Sequence, residues 1–275
     1  MHTDHTIVLR GQGFHYVEWG AAAAPPVVVL HGITGHARTW DDEAALLAET
    51  RRVLVLDQRG HGDSDPAPDG DYADDALLGD LVAFADGLGL RHFSLLALSL
   101  GGRVAINFAG RHADRVERLV VVDIGPEIAP AGRARVSALM AGAPERFETV
   151  DDVVAHLRAN NPRYTDAMLR HRARHAVRLL PDGGYAWKYD RALRDGIRQG
   201  RMRVPADLWP QWRAITSPTL LVRGAESDVL SEETAKRMVD VLPVARLVEV
   251  VGAGHTVPGD QPAAFQSLLR EFLMS

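Results

Sequence analysis

Leu95-Leu96-Ala97-Leu98-Ser99-Leu100-Gly101-Gly102 carries an apolar run into a serine, two glycines and an amphipathic stretch. A continuous apolar run, rather than an alternating one, indicates a strand covered on both faces. A serine held in a strained turn between such a strand and a helix needs small residues two places before and two places after it, so that neighbouring backbone can approach. Ala97 and Gly101 fill those places. The segment therefore reads as a nucleophile elbow, with alanine where glycine is usual. The competing reading, a serine that caps a helix after a buried strand, uses the same residues.

Similar runs recur at 27–30, 53–56, 119–122, 219–222 and 247–251, most of them followed by a Gly- or Asp-bearing turn and an amphipathic stretch. The pattern predicts an α/β fold: a parallel sheet with helices on both faces. Helices are expected at 41–49, 74–88, 102–111, 232–241 and 261–273. Segments 6–9 and 14–19, flanking Gly11-Gln12-Gly13, read as a hairpin. The alternation breaks once, between Ile124 and Thr219, in an Arg- and Ala-rich stretch with helical patterns at 131–141, 150–159, 165–179 and 188–198 and no strand signal. A compact domain does not hold a structureless loop of that length, so a helical insertion over one end of the sheet is expected. Residues 1–126 and 216–275 then form the core and 127–215 a helical cap. Ligands in open α/β sheets bind outside the carboxyl ends of the strands, so functional residues should directly follow the runs.

Of the 275 residues, 46% are hydrophobic and 24% charged, which excludes disordered, collagenous and coiled-coil architectures. The absence of cysteine removes disulfides, thiolate metal sites and a cysteine nucleophile. A net charge of −5 gives no electrostatic reason to expect nucleic acid or an anionic membrane as a partner. The first residues hold no apolar stretch resembling a signal peptide, and no apolar run is long enough to span a bilayer. A cytoplasmic protein acting on a small molecule is expected.

Two further turns bear on chemistry. Val29-Leu30-His31-Gly32-Ile33-Thr34-Gly35 follows the first core run. Acyl transfer needs two backbone N–H groups aimed at the developing oxyanion, and Ile33 in this turn and Leu100 after the serine are placed to supply them. Gly252-Ala253-Gly254-His255-Thr256 follows the last run, where a histidine between small residues can swing towards Ser99 as general base. His31 and His61 lie in turns near this site, whereas most other histidines read as surface or helix residues.

Together with Asp57-Gln58-Arg59-Gly60-His61-Gly62-Asp63-Ser64 after the second core run, these motifs resemble the α/β-hydrolase superfamily over almost the whole chain. The resemblance implies a mostly parallel eight-stranded sheet with a cap, and a Ser-His-acid triad of Ser99, His255 and a carboxylate. Serine at the elbow argues against dehalogenase or epoxide hydrolase chemistry, which needs a carboxylate there. The family's usual acid stands three residues after a glycine behind the seventh strand. Here that place, counted from Gly224, is Ser227, and Asp228 is one residue late. Asp123, at the tip of the sixth strand before Ile124-Gly125-Pro126, resembles the relocated acid of some branches and is favoured, with Asp228 the alternative. Short submotifs are similar to enol-lactonases, to carboxylesterases and to the 2-(acetamidomethylene)succinate hydrolase branch. The implied activity is hydrolysis of a small ester or lactone, without metal or cofactor. The same residues serve an amide or carbon–carbon hydrolase, and a receptor with little turnover would keep the pocket. Cap arginines such as Arg158, Arg163, Arg170 and Arg174 could clamp a carboxylate, although a solvated helix face accounts for most such charges.

Overall fold

The computed structural model describes residues 2–68, 70–198 and 206–275. Strands β1 (His2–Leu9), β2 (Gln12–Trp19), β3 (Pro26–Leu30), β4 (Arg52–Leu56), β5 (Phe93–Leu98) and β6 (Val116–Val122) come first, with helices α1 (Asp41–Leu47), α2 (Asp74–Gly87) and α3 (Leu100–Arg111) between the later ones. An inserted stretch follows, with α4 (Pro130–Ala141), α5 (Val150–Asn160), α6 (Asp166–Ala176), β7 (Val177–Leu179), β8 (Tyr185–Trp187), α7 (Arg191–Arg198) and α8 (Trp209–Ala214). The chain returns through β9 (Thr219–Gly224), α9 (Glu232–Asp240), β10 (Ala245–Val250), α10 (Val257–Asp260) and α11 (Pro262–Leu273). Eight strands form one sheet in the order β1-β2-β4-β3-β5-β6-β9-β10. The pairings β1·β2 and β2·β4 are antiparallel and the others parallel.

The sheet is covered on both faces, as the apolar runs require. Leu30, Leu54, Leu95 and Val121 point into one core with Phe84, Phe108 and Trp212, while Val29, Val55, Leu96 and Val122 point into the other with Trp40 and Phe265. Alternate residues of each strand thus feed opposite layers, which is why a doubly covered strand shows no polar alternation.

The inserted stretch departs from the sequence reading at α8, where no helix was expected, and at the end of α6. Helix was expected through residue 179, but α6 stops at Ala176 and Val177-Arg178-Leu179 pairs antiparallel with β8. The reason is local: Val177 is β-branched, and Pro181-Asp182-Gly183-Gly184 turns the chain, Gly183 taking φ 90° and the Gly184 carbonyl accepting from Leu180 N–H at 2.7 Å. This hairpin shares a separate apolar cluster with α5 and α6, built on Phe147, Val153, Leu169 and Trp187. Helix α8 instead packs on α3 and gives Trp209 and Trp212 to the main core. Residues 199–205, within the expected cap, lie outside the described residues.

Candidate active site

Ser99 sits between β5 and α3 with φ 54° and ψ −116°, a conformation that costs a non-glycine residue on the order of 1–3 kcal/mol and is held only by its surroundings. Here the restraint is explicit. Ser99 N–H donates to the Val122 carbonyl at 3.2 Å, and Gly101 N–H to the His31 carbonyl at 3.1 Å. A Cβ on Gly101 would stand 2.6 Å from Leu30 Cβ and 2.7 Å from the His31 oxygen, so position 101 accepts no side chain. The turn therefore presses the first residues of α3 against the loop after β3.

That loop is braced by a histidine. His31 is buried; its Nδ1 lies 2.8 Å from the Gly32 carbonyl and its Nε2 accepts from Gln58 N–H at 3.1 Å. These partners fix the Nδ1–H tautomer and leave His31 no nitrogen for catalysis. Burial pushes its pKa down, so it stays neutral. The Gln58 side chain donates to the His31 carbonyl at 2.7 Å, a brace the sequence reading did not single out. Ile33 and Leu100 line a cavity with Ser99, and Leu100 N–H is among the donors that open α3.

At the tip of β6, Asp123 is completely buried with φ 51°. Its Oδ1 accepts from Gly224 N–H at 2.9 Å, and its Oδ2 accepts from the Ser227 hydroxyl and lies 2.8 Å from His255 Nδ1. Ser227, three residues after Gly224, thus hydrogen-bonds the Asp123 carboxylate. The Ser227 oxygen also accepts from Val229 N–H at 3.1 Å. Asp228 points elsewhere: Arg135 grips it bidentately at 2.6 and 2.9 Å, and that hydrogen bonding lowers its pKa. The geometry brings Asp123, not Asp228, to His255. The His255 loop is seated by Gly224, where a Cβ would lie 2.0 Å from the Gly254 oxygen, and by Gly254 N–H donating to Asp260 at 2.8 Å.

Ser99 stands between two cavities. One, of about 740 Å³, is lined largely by apolar groups of α2, α3, α4 and α7. The other, of about 180 Å³, holds His255, Ile33 and Thr34 with polar residues of the inserted stretch. The expected cap arginines are spent elsewhere: Arg158 pairs with Asp166, Arg163 with Glu226 and Arg170 with Asp151, while Arg174 is exposed. Arg172, which the sequence reading passed over, lines the small cavity. Trp187 lines it too, with its indole N–H on the Pro144 carbonyl at 2.9 Å, whereas Trp212 is wholly core.

His15 and His36, which the sequence reading did not single out, are both buried. A hairpin strand inside a sheet shows its inward side only once its partners are known. His15 Nδ1 lies 2.7 Å from Asp57 Oδ2, and its Nε2 3.1 Å from Asp4. Burial raises the pKa of Asp57, but the bond from His15, the nearby His31 and the Asp63 N–H outweigh it and bring the value to about 2. His15, Asp57 and Asp63 offer ligand atoms within 4.8 Å of one another. These groups are partnered by one another and by the chain: Asp57 takes His15, Asp63 N–H and Ala37 N–H, and Asp63 pairs with Lys188.

The profile of the alpha/beta hydrolase fold family matches residues 25–262. The chain is 32% identical over 262 residues to the 3-hydroxybutyrate-oligomer hydrolase of Cupriavidus necator, covering 90% of this chain and 88% of that protein. It is 28% identical over 255 residues to the 2-(acetamidomethylene)succinate hydrolase of Mesorhizobium japonicum, covering 91% and 88%. The crystal structure of E-2-(acetamidomethylene)succinate hydrolase superposes with a TM-score of 0.91 at 25% identity, covering 100% of both chains. Among the described residues, no helix is long and apolar enough to cross a membrane.

Proposed function

The chain belongs to the α/β-hydrolase family, and from that premise we propose that it is a cytoplasmic serine hydrolase cleaving a small carboxylic ester or lactone through an acyl-enzyme on Ser99. The observation that carries the reading is the buried Asp123 carboxylate held 2.8 Å from His255 Nδ1, with His255 and Ser99 lining one cavity. Residues 1–126 and 216–275 are the catalytic core and 127–215 the cap that walls the cavities.

Asp123 orients the ring so that Nδ1–H points at the carboxylate and Nε2 is free to take a proton. Ser99 Oγ attacks the substrate carbonyl while His255 accepts its proton, and Asp123 stabilises the resulting imidazolium. The N–H groups of Ile33 and Leu100 receive the oxyanion, the latter reinforced by the amino end of α3. His255 then protonates the leaving oxygen; it next takes a proton from water as the water oxygen attacks the acyl carbon, and gives that proton to Ser99 Oγ as the acid departs. This sequence uses no metal or cofactor. An amide would follow the same steps with nitrogen as the leaving atom, and the likeness to the 2-(acetamidomethylene)succinate hydrolase adds amides to the substrates to be tried.

Hydrolysis of p-nitrophenyl acetate tests the reading. Wild-type protein should turn it over, and Ser99→Ala or His255→Ala should lower kcat by about 10⁴-fold or more. A folded wild-type protein inert towards esters, lactones and amides alike would favour a receptor and contradict the proposal.

A further inference from the structure

The small cavity beside Ser99 has a mostly apolar wall into which a few nitrogen-bearing side chains are set. Arg172, Arg135, His36 and His156 line it, and among its described lining residues there is no aspartate or glutamate. A partly buried guanidinium without a counter-ion is costly, so each such group should have an anion. For Arg135 that anion is Asp228. Arg172 makes no ion pair among the described residues; its guanidinium lies 4.6 Å from the centre of the Tyr164 ring, which holds it in place. Glu43 is within its electrostatic reach, but burial pushes that carboxyl up to about 7, leaving it substantially protonated near neutrality. A guanidinium without a carboxylate partner among the described residues thus lines the cavity that also holds Ser99 and His255.

We propose that this cavity is an anion subsite in which Arg172 takes a carboxylate of the substrate. The chain then acts on acyl compounds carrying a carboxylate a few atoms from the carbonyl that Ser99 attacks, with an apolar remainder in the larger cavity. The planar guanidinium meets a carboxylate with two parallel N–H bonds, which fixes orientation as well as charge. The substrate class rests on Ser99 being the nucleophile; the subsite itself does not.

The test compares the 4-nitrophenyl half-ester of fumarate with its methyl ester, a pair differing by one negative charge and unable to cyclise. Wild-type kcat/KM should favour the half-ester by about tenfold or more, Arg172→Gln should erase most of that ratio, and Arg172→Lys should keep part of it. Arg170→Gln, on the exposed side of α6 and paired with Asp151, should leave the ratio as in wild type. Calorimetry with fumarate should detect binding to wild type that Arg172→Gln abolishes. A wild-type ratio near one, or rates that fall in parallel in Arg172→Gln and leave the ratio standing, would overturn the proposal. Should neither ester be hydrolysed, Arg172-dependent fumarate binding would keep the subsite while the serine hydrolase reading failed. No fumarate binding to the folded protein would overturn the subsite.

Discussion

Two buried carboxylate–histidine pairs stand at the carboxyl ends of strands in this sheet, and by distance they are nearly the same. Asp123 at the end of β6 meets His255 Nδ1 at 2.8 Å, and Asp57 after β4 meets His15 Nδ1 at 2.7 Å. What separates them is the other ring nitrogen. That of His15 faces Asp4 at 3.1 Å, whereas His255 lines a cavity with Ser99. Asp57 also anchors Ala37 N–H and Asp63 N–H, so its charge fastens the loops after β3 and β4. A carboxylate that orients a histidine becomes catalytic only where the far nitrogen is left unspent.

The contrast breaks first on Asp123→Asn. It should cut kcat by about 10⁴-fold, because His255 loses the partner that sets its tautomer, while the fold survives; ester turnover and a melting curve measure both. Asp57→Asn should do the reverse, costing about 3 kcal/mol of stability and roughly 6–12 °C in Tm while kcat per folded molecule stays within about threefold. If the two substitutions act alike on rate, the distinction between the pairs is wrong.

Acidification sharpens the same contrast through the loop after β4. His61 is completely buried, and burial, with neighbouring His31, lowers its pKa to about 3. Between its unfolded value near 6.5 and that folded value the unfolded chain binds the extra proton, so stability falls as pH falls. From pH 6.5 to 5 the loss attributable to His61 should be about 2 kcal/mol. Chemical denaturation at the two pH values should show it, and His61→Asn should flatten the slope.

Smaller effects test the acid's position. Adding Ser227→Asp to Asp123→Asn should recover about tenfold of the lost kcat, since position 227 already hydrogen-bonds the site of the missing charge. Asp228→Asn should leave kcat within about threefold, because its carboxylate is held by Arg135. A large loss at Asp228 with none at Asp123 would reverse the assignment.

The sequence makes the core legible because each doubly covered strand is an uninterrupted apolar run, and the elbow legible because Ala97 and Gly101 satisfy a steric demand local to Ser99. The proposed acid was only half legible: that Asp123 follows a strand is visible, but that Ser227 turns its hydroxyl onto it depends on how the loop after β9 folds. Arg172 was missed because a cation on an Arg-rich helix looks like its neighbours until the structure shows which of them already have carboxylates. His15 escaped notice for a related reason, since its partners Asp4 and Asp57 come from two other strands or their ends.

Peptide mapping after treatment with a fluorophosphonate tests the centre of the account most directly. One adduct per chain should form, lie on the peptide containing Ser99, and disappear in Ser99→Ala and His255→Ala. Labelling that persists at full stoichiometry in folded Ser99→Ala, or that maps to another serine, would contradict it.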